Sequence, residues 1–304
     1  MTIAFPRDDL GVTYSIVARD PESGAFGVAV QSNYFAVGAV VPWVEAGVGA
    51  VATQASAEIS YGPRGLERMR AGKSAGDALA ALVAADAGRA VRQVGMVDRA
   101  GRAAVHTGES CVEYAGARTG DGWTVQGNML RTDAVWDAMA DAYTGTAGDF
   151  LDRLLATLDA AEAAGGDVRG RQAAALVVSA AADGSGPSIR LHVEDHAEPL
   201  VELRRLAQMQ RAYAELDAAF DRLQAGELDG LVPAIEHALE LAPDSREIKF
   251  RLAATLTLFG DPRGRPMLDE IYAQNSGWRE LIPRLAAVGQ LPDFPGVVEG
   301  LTGE

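Results

Sequence analysis

Apolar and polar positions near the start of the chain follow the pattern of a sheet. Residues 13–20 and residues 27–33 are short runs rich in Val, Ile and Ala, and each is long enough for one strand. Residues 21–24 lie between them and contain Pro, Ser and Gly, so the pattern predicts a β-hairpin. Residues 36–43 and 48–54 are two further runs, and their near-continuous apolarity predicts strands covered on both faces.

The chain then alternates between pairs of helices and pairs of strands. Leu66 and Met69 indicate a short helix, and Ser74 is the N-cap expected for a second one. The later predictions are strands at 92–98 and 103–107, short strands within 116–130, helices at 132–143 and 147–163, and strands at 171–180 and 188–193. Strands in hairpins with helices in pairs favour helices layered on antiparallel sheets. The pattern therefore predicts an α+β protein with a four-layer αββα sandwich.

From about residue 205 the apolar residues repeat only at helical spacing. The apolar residues are spaced three and four positions apart, beginning with Leu206, Met209 and Tyr213. Further along the chain, Pro and Gly residues interrupt this spacing. This predicts short amphipathic helices joined by turns. Residues 238–244 resemble the junction between tetratricopeptide repeats. We therefore expect a leader at 1–12, the sandwich at 13–200, and an all-α helical-hairpin (TPR-like) domain at 205–304.

Composition and charge narrow the classes of partner. The 304 residues carry a net charge of -15, which repels phosphate backbones, so we expect no nucleic-acid partner. The single cysteine, Cys111, excludes an intramolecular disulfide and a cysteine-based metal cluster. The first residues lack a signal-peptide run, and no stretch reaches the roughly 18 apolar residues of a membrane span. We expect a cytoplasmic protein with no membrane partner, no metal and no cofactor.

Small polar residues mark several strand ends. Thr13 opens the first predicted strand, Gln31 and Ser32 close the second, and Gln54 closes a later one. Burying such groups without partners costs about 1–3 kcal/mol each. They therefore either bind a small-molecule substrate or form a buried polar network, and Thr13 is also an ordinary β-branched residue at the start of a strand. The sequence leaves these interpretations open.

Asp167, Arg169 and Arg171 form the clearest charged cluster, just before a predicted strand. Guanidinium groups bind carboxylates in bidentate geometry, so this cluster is a candidate for holding an acidic group of a substrate. The same three residues are equally suited to bracing the sheet and the helices as ion pairs. Both hypotheses stand at this stage.

Several blocks of sequence resemble one family, in the same order along the chain. They are residues 13–20, 34–38, 47–55, 61–65, 125–128 and 166–172. Through these blocks the chain resembles the DUF1028 family, which is placed in the superfamily of N-terminal-nucleophile (Ntn) hydrolases. The αββα fold of that superfamily agrees with the layer order predicted above. Some members carry a C-terminal segment named for peptidoglycan binding, and the resemblance assigns the helical tail to it.

The resemblance also implies a mechanism. In Ntn hydrolases a Thr, Ser or Cys becomes the first residue of the chain, and its free α-amine, with a pKa of about 8, serves as general base. Thr13 matches the position of that nucleophile, and Asn128 in the block 125–128 is a candidate oxyanion donor. The leading hypothesis is a metal-independent amidohydrolase that cleaves a non-peptide C–N bond of a small molecule.

The alternative hypothesis is a catalytically inactive Ntn-fold scaffold. Its body would bind a ligand or form oligomers, and its helical tail would recruit a protein. The two hypotheses differ at Thr13, because its amine stays in a peptide bond unless residues 1–12 are removed. Homo-oligomers are expected for either by analogy with the fold. Cell-wall binding through the tail is a weaker third hypothesis, since no export signal is evident.

Overall fold

The computed structural model of the protein describes residues 13–186, 188–291 and 295–303. The expected leader at residues 1–12 lies outside these residues. The chain divides into two compact units, one ending at Leu206 and the other beginning at Ala207. The boundary predicted from the sequence lies between residues 200 and 205, and this division falls inside a helix that begins at Pro199.

The described residues form ten strands in two antiparallel sheets. The strands are β1 Thr13–Arg19, β2 Phe26–Ser32, β3 Pro42–Glu45, β4 Gly49–Ala55, β5 Arg92–Asp98, β6 Ala103–Thr107, β7 Gly116–Gly120, β8 Trp123–Asn128, β9 Ala173–Val178 and β10 Ile189–Val193. One sheet has the order β10-β9-β2-β1-β8-β7, and the other has the order β3-β4-β5-β6. The predicted first hairpin is the β1–β2 pair at the centre of the six-stranded sheet.

Four helices lie on the outer faces of the two sheets. They are α1 Tyr61–Arg70, α2 Ala75–Ala85, α3 Ala134–Gly145 and α4 Phe150–Ala163. Helices α1 and α2 pack on the four-stranded sheet, whereas α3 and α4 pack on the six-stranded one. Ser74 caps α2 as predicted, because its Oγ accepts a hydrogen bond from the Asp77 N–H at 3.0 Å. The mixed α+β class with antiparallel sheets is therefore confirmed.

The two sheets pack face to face through a tight apolar core. Most of its buried members are small or β-branched side chains from both sheets, including Val17, Val28, Val30, Ala50 and Ala52. Residues on one face of a strand alternate with those on the other. Every second residue of β1, beginning at Thr13, therefore faces the space between the sheets. The side chains between them face the helices.

The run at 36–43 differs from its prediction as a single strand. Ala36 adopts a φ of 55°, and a short 3₁₀ helix follows at Val37–Ala39. The N–H groups of Val40 and Val41 both return to the carbonyl of Val37. The chain therefore turns before it enters β3 at the edge of its sheet, where a proline at the start is tolerated. An apolar run alone does not distinguish a strand from a buried turn of helix.

After β10 the described residues form helices joined by turns and short loops, as predicted. These helices are α5 Pro199–Gln224, α6 Leu231–Leu241, α7 Arg246–Leu258, α8 Gly264–Gln274, α9 Gly277–Ala287 and α10 Val297–Thr302. From Ala207 onward, buried residues such as Leu216, Ile235, Ile248 and Leu256 form a core of their own. Within the described ranges of the chain, none of these helices or those of the first unit is long and apolar enough to cross a membrane.

Candidate functional site

Several strand ends that carry polar residues meet at one end of the sandwich. Thr13 pairs with Ser32, the last residue of β2, and with Asn128, the last residue of β8. In the facing sheet Gln54 pairs with Gln93 at the corresponding end of β4 and β5. The structure therefore brings together four of the predicted site residues and adds Gln93. We call this region the Thr13 end of the sandwich.

Thr13 is buried, with 2% of its surface exposed, and its hydroxyl and carbonyl have different partners. Its Oγ1 donates a hydrogen bond to Ser32 Oγ at 3.2 Å. Its carbonyl oxygen accepts from Gln54 Nε2 at 3.2 Å and from Asn128 Nδ2 at 3.4 Å. The amide of Asn128, the candidate oxyanion donor, is thus directed at the main chain of Thr13. Two side-chain amides fix the position of the residue from its carbonyl side.

Gln93 links these side chains, although sequence analysis did not select it. Its Oε1 accepts hydrogen bonds from Gln54 Nε2 at 2.8 Å and Asn128 Nδ2 at 3.1 Å. Its Nε2 donates to Thr107 Oγ1 at 3.0 Å and to the Gly127 carbonyl at 2.8 Å. A glutamine with both amide atoms engaged holds its neighbours in one arrangement. The sequence offered one sign of this role, a Gln directly before the apolar run at 94–97.

The polar network continues between the sheets below Thr13. Ser15 Oγ donates to Gln54 Oε1 at 2.6 Å and accepts from Gln126 Nε2 at 2.7 Å, while Thr124 Oγ1 donates to Gln126 Oε1 at 3.0 Å. All of these side chains are buried. The network contains only hydroxyls and neutral amides. Fully satisfied buried networks of this kind rigidify a core, so this part supports the hypothesis of a polar network.

No ionisable side chain is positioned to activate Thr13 within the part of the chain that the structure describes. Ser32 is the partner of its hydroxyl there. A threonine hydroxyl is a weak nucleophile unless a base removes its proton. Activation therefore depends on a base other than a side chain of the described residues.

Gln31 faces away from Thr13, unlike its neighbour Ser32. Gln31 pairs with Tyr14 in the register of β1 and β2, and both lie on the helix-facing side of the sheet. The Gln31 side chain is buried, and its amide nitrogen and oxygen have no hydrogen-bond partner among the described residues. The structure thus separates Gln31 from the Ser32 and Gln54 side chains with which it was grouped.

Tyr14 joins the same helix-facing side to a set of ion pairs. Its hydroxyl donates to Glu162 Oε2 at 2.8 Å. Burial, together with the negative charge of Glu162, holds the pKa of Tyr14 well above its usual value. Arg171 pairs with Glu162 at 3.6 Å and with Glu198 at 2.7 Å. Arg171 therefore braces helix and sheet on this side.

Asp167 and Arg169 lie next to the end of β2 instead. The Asp167 carboxylate accepts from the Asn33 N–H at 2.9 Å and from the Arg169 N–H at 2.8 Å. The Arg169 guanidinium also lies 3.2 Å from the same carboxylate, whose side chain has no exposed surface. The three charged residues are therefore divided, with one pair near the Thr13 end and Arg171 elsewhere. Their contacts match the ion-pair brace of the second hypothesis.

Backbone strain concentrates at the Thr13 end. The non-glycine residues with positive φ in the described ranges are Ala36, Ala55, Tyr114 and Met129. All four lie where the chain enters or leaves strands at this end: Ala36 and Met129 follow β2 and β8, Ala55 is the last residue of β4, and Tyr114 precedes β7. Such conformations cost about 1–3 kcal/mol each and cluster at functional sites. The strain marks the same end of the sandwich as the polar side chains do.

The residues that the structure describes contain no candidate metal centre. No three His, Cys, Asp or Glu side chains converge there as ligands.

The helical unit contains a separate apolar cavity of about 900 Å³. Phe220, Phe250, Phe259 and Trp278 contribute to its lining.

Fold and site together define a two-sheet α+β protein with a buried threonine at one end of its sheets. The model of the DUF1028 family, a family of unknown function, matches residues 13–203, and the chain belongs to that family. A similar solved structure is that of protein SPO2555 from Silicibacter pomeroyi, also described as DUF1028, with 34% identity and a TM-score of 0.61. The similarity covers 65% of this chain and 88% of that one. No curated protein matches the sequence.

Proposed function

We propose that this protein is an amidohydrolase of the N-terminal-nucleophile type, with Thr13 as its nucleophile. The observation that carries the proposal is the position of Thr13. It is the first residue of a central strand, at the end where polar side chains and strained loops converge. Its hydroxyl lies on the face between the sheets, beside Ser32. The order of helix pair, sheet, sheet and helix pair also agrees with an Ntn-hydrolase sandwich.

The missing base is the α-amine that removal of residues 1–12 would create. An amine with a pKa of about 8 accepts a proton near neutral pH. In the proposed step the amine takes the proton of Thr13 Oγ1, and Oγ1 forms an ester bond with the substrate carbonyl carbon. The C–N bond then breaks, and the leaving amine takes the proton. Water hydrolyses the ester and restores the threonine.

Asn128 is the proposed donor to the oxyanion. Its Nδ2 already bonds to the Thr13 carbonyl at 3.4 Å, so a rotation of the amide would direct it to a neighbouring oxygen. Gln93 and Gln54 would keep the Thr13 main chain in place during the reaction. The substrate in this proposal is a small molecule with a non-peptide C–N bond.

The test supplies the free amine directly. A fusion whose tag is cleaved immediately before Thr13 yields a chain with that residue at its N-terminus. We expect this protein to hydrolyse members of a panel of small amides, and the Thr13→Ser form to retain activity. The same chain with Thr13→Ala, and the full chain blocked from processing, should be inactive. Equal activity in the Thr13→Ala form would overturn the proposal.

A second candidate function is that of a binding protein with a TPR-like recruiting tail. It is favoured by the neutral surroundings of Thr13 and by the apolar cavity of the helical unit. Leu228 and Phe259 line this cavity and are also more than half exposed. In this case Phe259→Gln should weaken binding of the dye 1-anilinonaphthalene-8-sulfonate, an anion whose aromatic rings bind apolar surfaces. Val288→Gln, at an exposed residue outside the lining, should not.

A further inference from the structure

Large apolar side chains are exposed around the Thr13 end of the sandwich. In the described part of the first unit, the large apolar residues with exposed surfaces are Phe35, Ile59, Val112, Tyr114, Val168 and Val201. All except Val201 lie in the loops that connect to strands at this end. Single exposed apolar residues are ordinary, but several at one end indicate a binding surface.

Three of these residues lie on loops that are joined by hydrogen bonds. The Leu130 N–H donates to the Tyr114 carbonyl at 3.3 Å, and the Val168 N–H donates to the Met129 carbonyl at 3.4 Å. The Asp167 carboxylate in turn holds the Asn33 N–H, two residues before Phe35. We call Phe35, Tyr114 and Val168 the apolar rim.

The loops that carry the apolar rim adjoin the strand ends of the Thr13 site. Asn33 directly follows Ser32, whose hydroxyl bonds to Thr13, and Met129 directly follows Asn128. Tyr114 and Met129 have φ values of 57° and 52°, a conformation that non-glycine residues adopt at a cost. The fold therefore holds these loops in strained positions while it leaves their large side chains exposed, at 62% for Phe35 and 45% for Val168.

The chemistry next to Thr13 is neutral. The groups that bond to its hydroxyl and carbonyl are a serine and two side-chain amides. The charged groups on the rim loops include the exposed Glu113 beside Tyr114, whose negative charge would repel an acidic ligand. Arg169 pairs with Asp167, and Arg131 Nη2 donates to the Val168 carbonyl at 3.4 Å. An uncharged ligand suits this arrangement better than an acidic one.

We propose that the apolar rim binds an aromatic or aliphatic group of the substrate, so that the substrate class is a neutral amide with an apolar substituent. This inference rests on the proposed function at Thr13 and names its substrate. Burial of the substituent against Phe35 and Val168 would supply the affinity. The amide would then reach Thr13 from the rim.

Binding tests the inference without turnover. The cleaved fusion with Thr13→Ala, which begins at residue 13, is titrated with phenylacetamide, acetamide and 4-carboxyphenylacetamide, observed by ligand NMR. The added phenyl group should tighten binding by about tenfold or more over acetamide, as expected for burying an aromatic ring. The added carboxylate should weaken it. The double variant Phe35→Ser/Val168→Ser should lose most of the gain, whereas Val201→Ser, an equally exposed control, should keep it.

Several results would overturn the inference. Equal affinity for phenylacetamide and acetamide would do so, as would tightest binding of the carboxylate, which would assign the rim to an acidic ligand through Arg131 or Arg169. A rim variant that dissociates an oligomer but binds phenylacetamide normally would make the rim a self-association surface. Selective binding without hydrolysis by the cleaved fusion would leave the rim supported and remove the proposed function. Hydrolysis by the cleaved fusion with no preference for apolar amides would support the proposed function and overturn the inference about the rim.

Discussion

The hydroxyl groups of Thr13 and Ser32 lie 3.2 Å apart across the two central strands of the larger sheet. Thr13 Oγ1 donates this bond, so its proton is directed at a neutral hydroxyl. The arrangement positions the threonine without activating it. We therefore expect Thr13 to become active only when its main-chain nitrogen is a free amine.

Gln93→Met should destabilise the protein by about 2–4 kcal/mol, because it leaves several buried donors and acceptors without partners. Those partners include the side chains of Gln54, Asn128 and Thr107. Urea unfolding followed by circular dichroism measures the change. Gln208→Met, at an exposed helical position, is the control and should stay within about 0.5 kcal/mol of wild type. A Gln93→Met protein as stable as its control would show that the network is not a structural support.

Gly95→Ala tests whether the space between the two sheets beside Gln126 can hold an added methyl group. A β-carbon at this position would lie 2.4 Å from Gln126 Oε1. This distance is too short for a contact between two non-bonded atoms, so one of them would have to move. Gln126 has little freedom to move, since Ser15 and Thr124 hold its amide. We expect a loss of about 1–3 kcal/mol in the free energy of unfolding. Gly145→Ala, which has open space around it, should have almost no effect. Thermal unfolding of the two variants compares them directly.

Tyr14→Phe should change the alkaline stability of the protein. The pKa of Tyr14 is raised in the folded state above its unfolded value of about 10, so the folded protein binds the proton more tightly. Its contribution is fully present below pH 10 and is lost as the pH rises above that value. Wild type should therefore lose stability more steeply than Tyr14→Phe above pH 10.

At neutral pH the same variant should lose about 1–2 kcal/mol with the hydrogen bond to Glu162. Urea midpoints at several pH values measure both effects. Tyr61 and Tyr143 also have raised pKa values, to about 12, so the difference between the two proteins isolates Tyr14. If the stabilities of the two proteins fell in parallel above pH 10, Tyr14 would not have a raised pKa in the folded state.

The order of strands and helices followed from the sequence because their periodicities are local. The β1–β2 hairpin, the paired helices and the helical tail each show their apolar spacing within one short segment. The prediction of a single strand at 36–43 was wrong because the conformation there is not set locally. The positive φ of Ala36 and the turn at Val37 depend on contacts with distant residues, such as the bond from the Ala36 N–H to the Glu194 carbonyl.

The site was predicted only in part for a similar reason. Thr13, Ser32, Gln54 and Asn128 stood out as polar residues at strand ends, and they meet. Alternation along β2 could have separated Gln31 from Ser32, since adjacent strand residues face opposite sides. The role of Gln93 could not be inferred, because it depends on how two sheets face each other across the core. That packing is set by residues far apart in the chain.

The intact mass of the purified full-length protein shows whether Thr13 becomes the first residue of the chain. We expect a wild-type mass that lacks residues 1–12, and an uncleaved mass for Thr13→Ala. Thr13→Ser should still be cleaved, because it keeps a hydroxyl at the same atom. A wild-type mass that includes residues 1–12, or cleavage of Thr13→Ala at the same bond, would contradict Thr13 as a self-activated nucleophile.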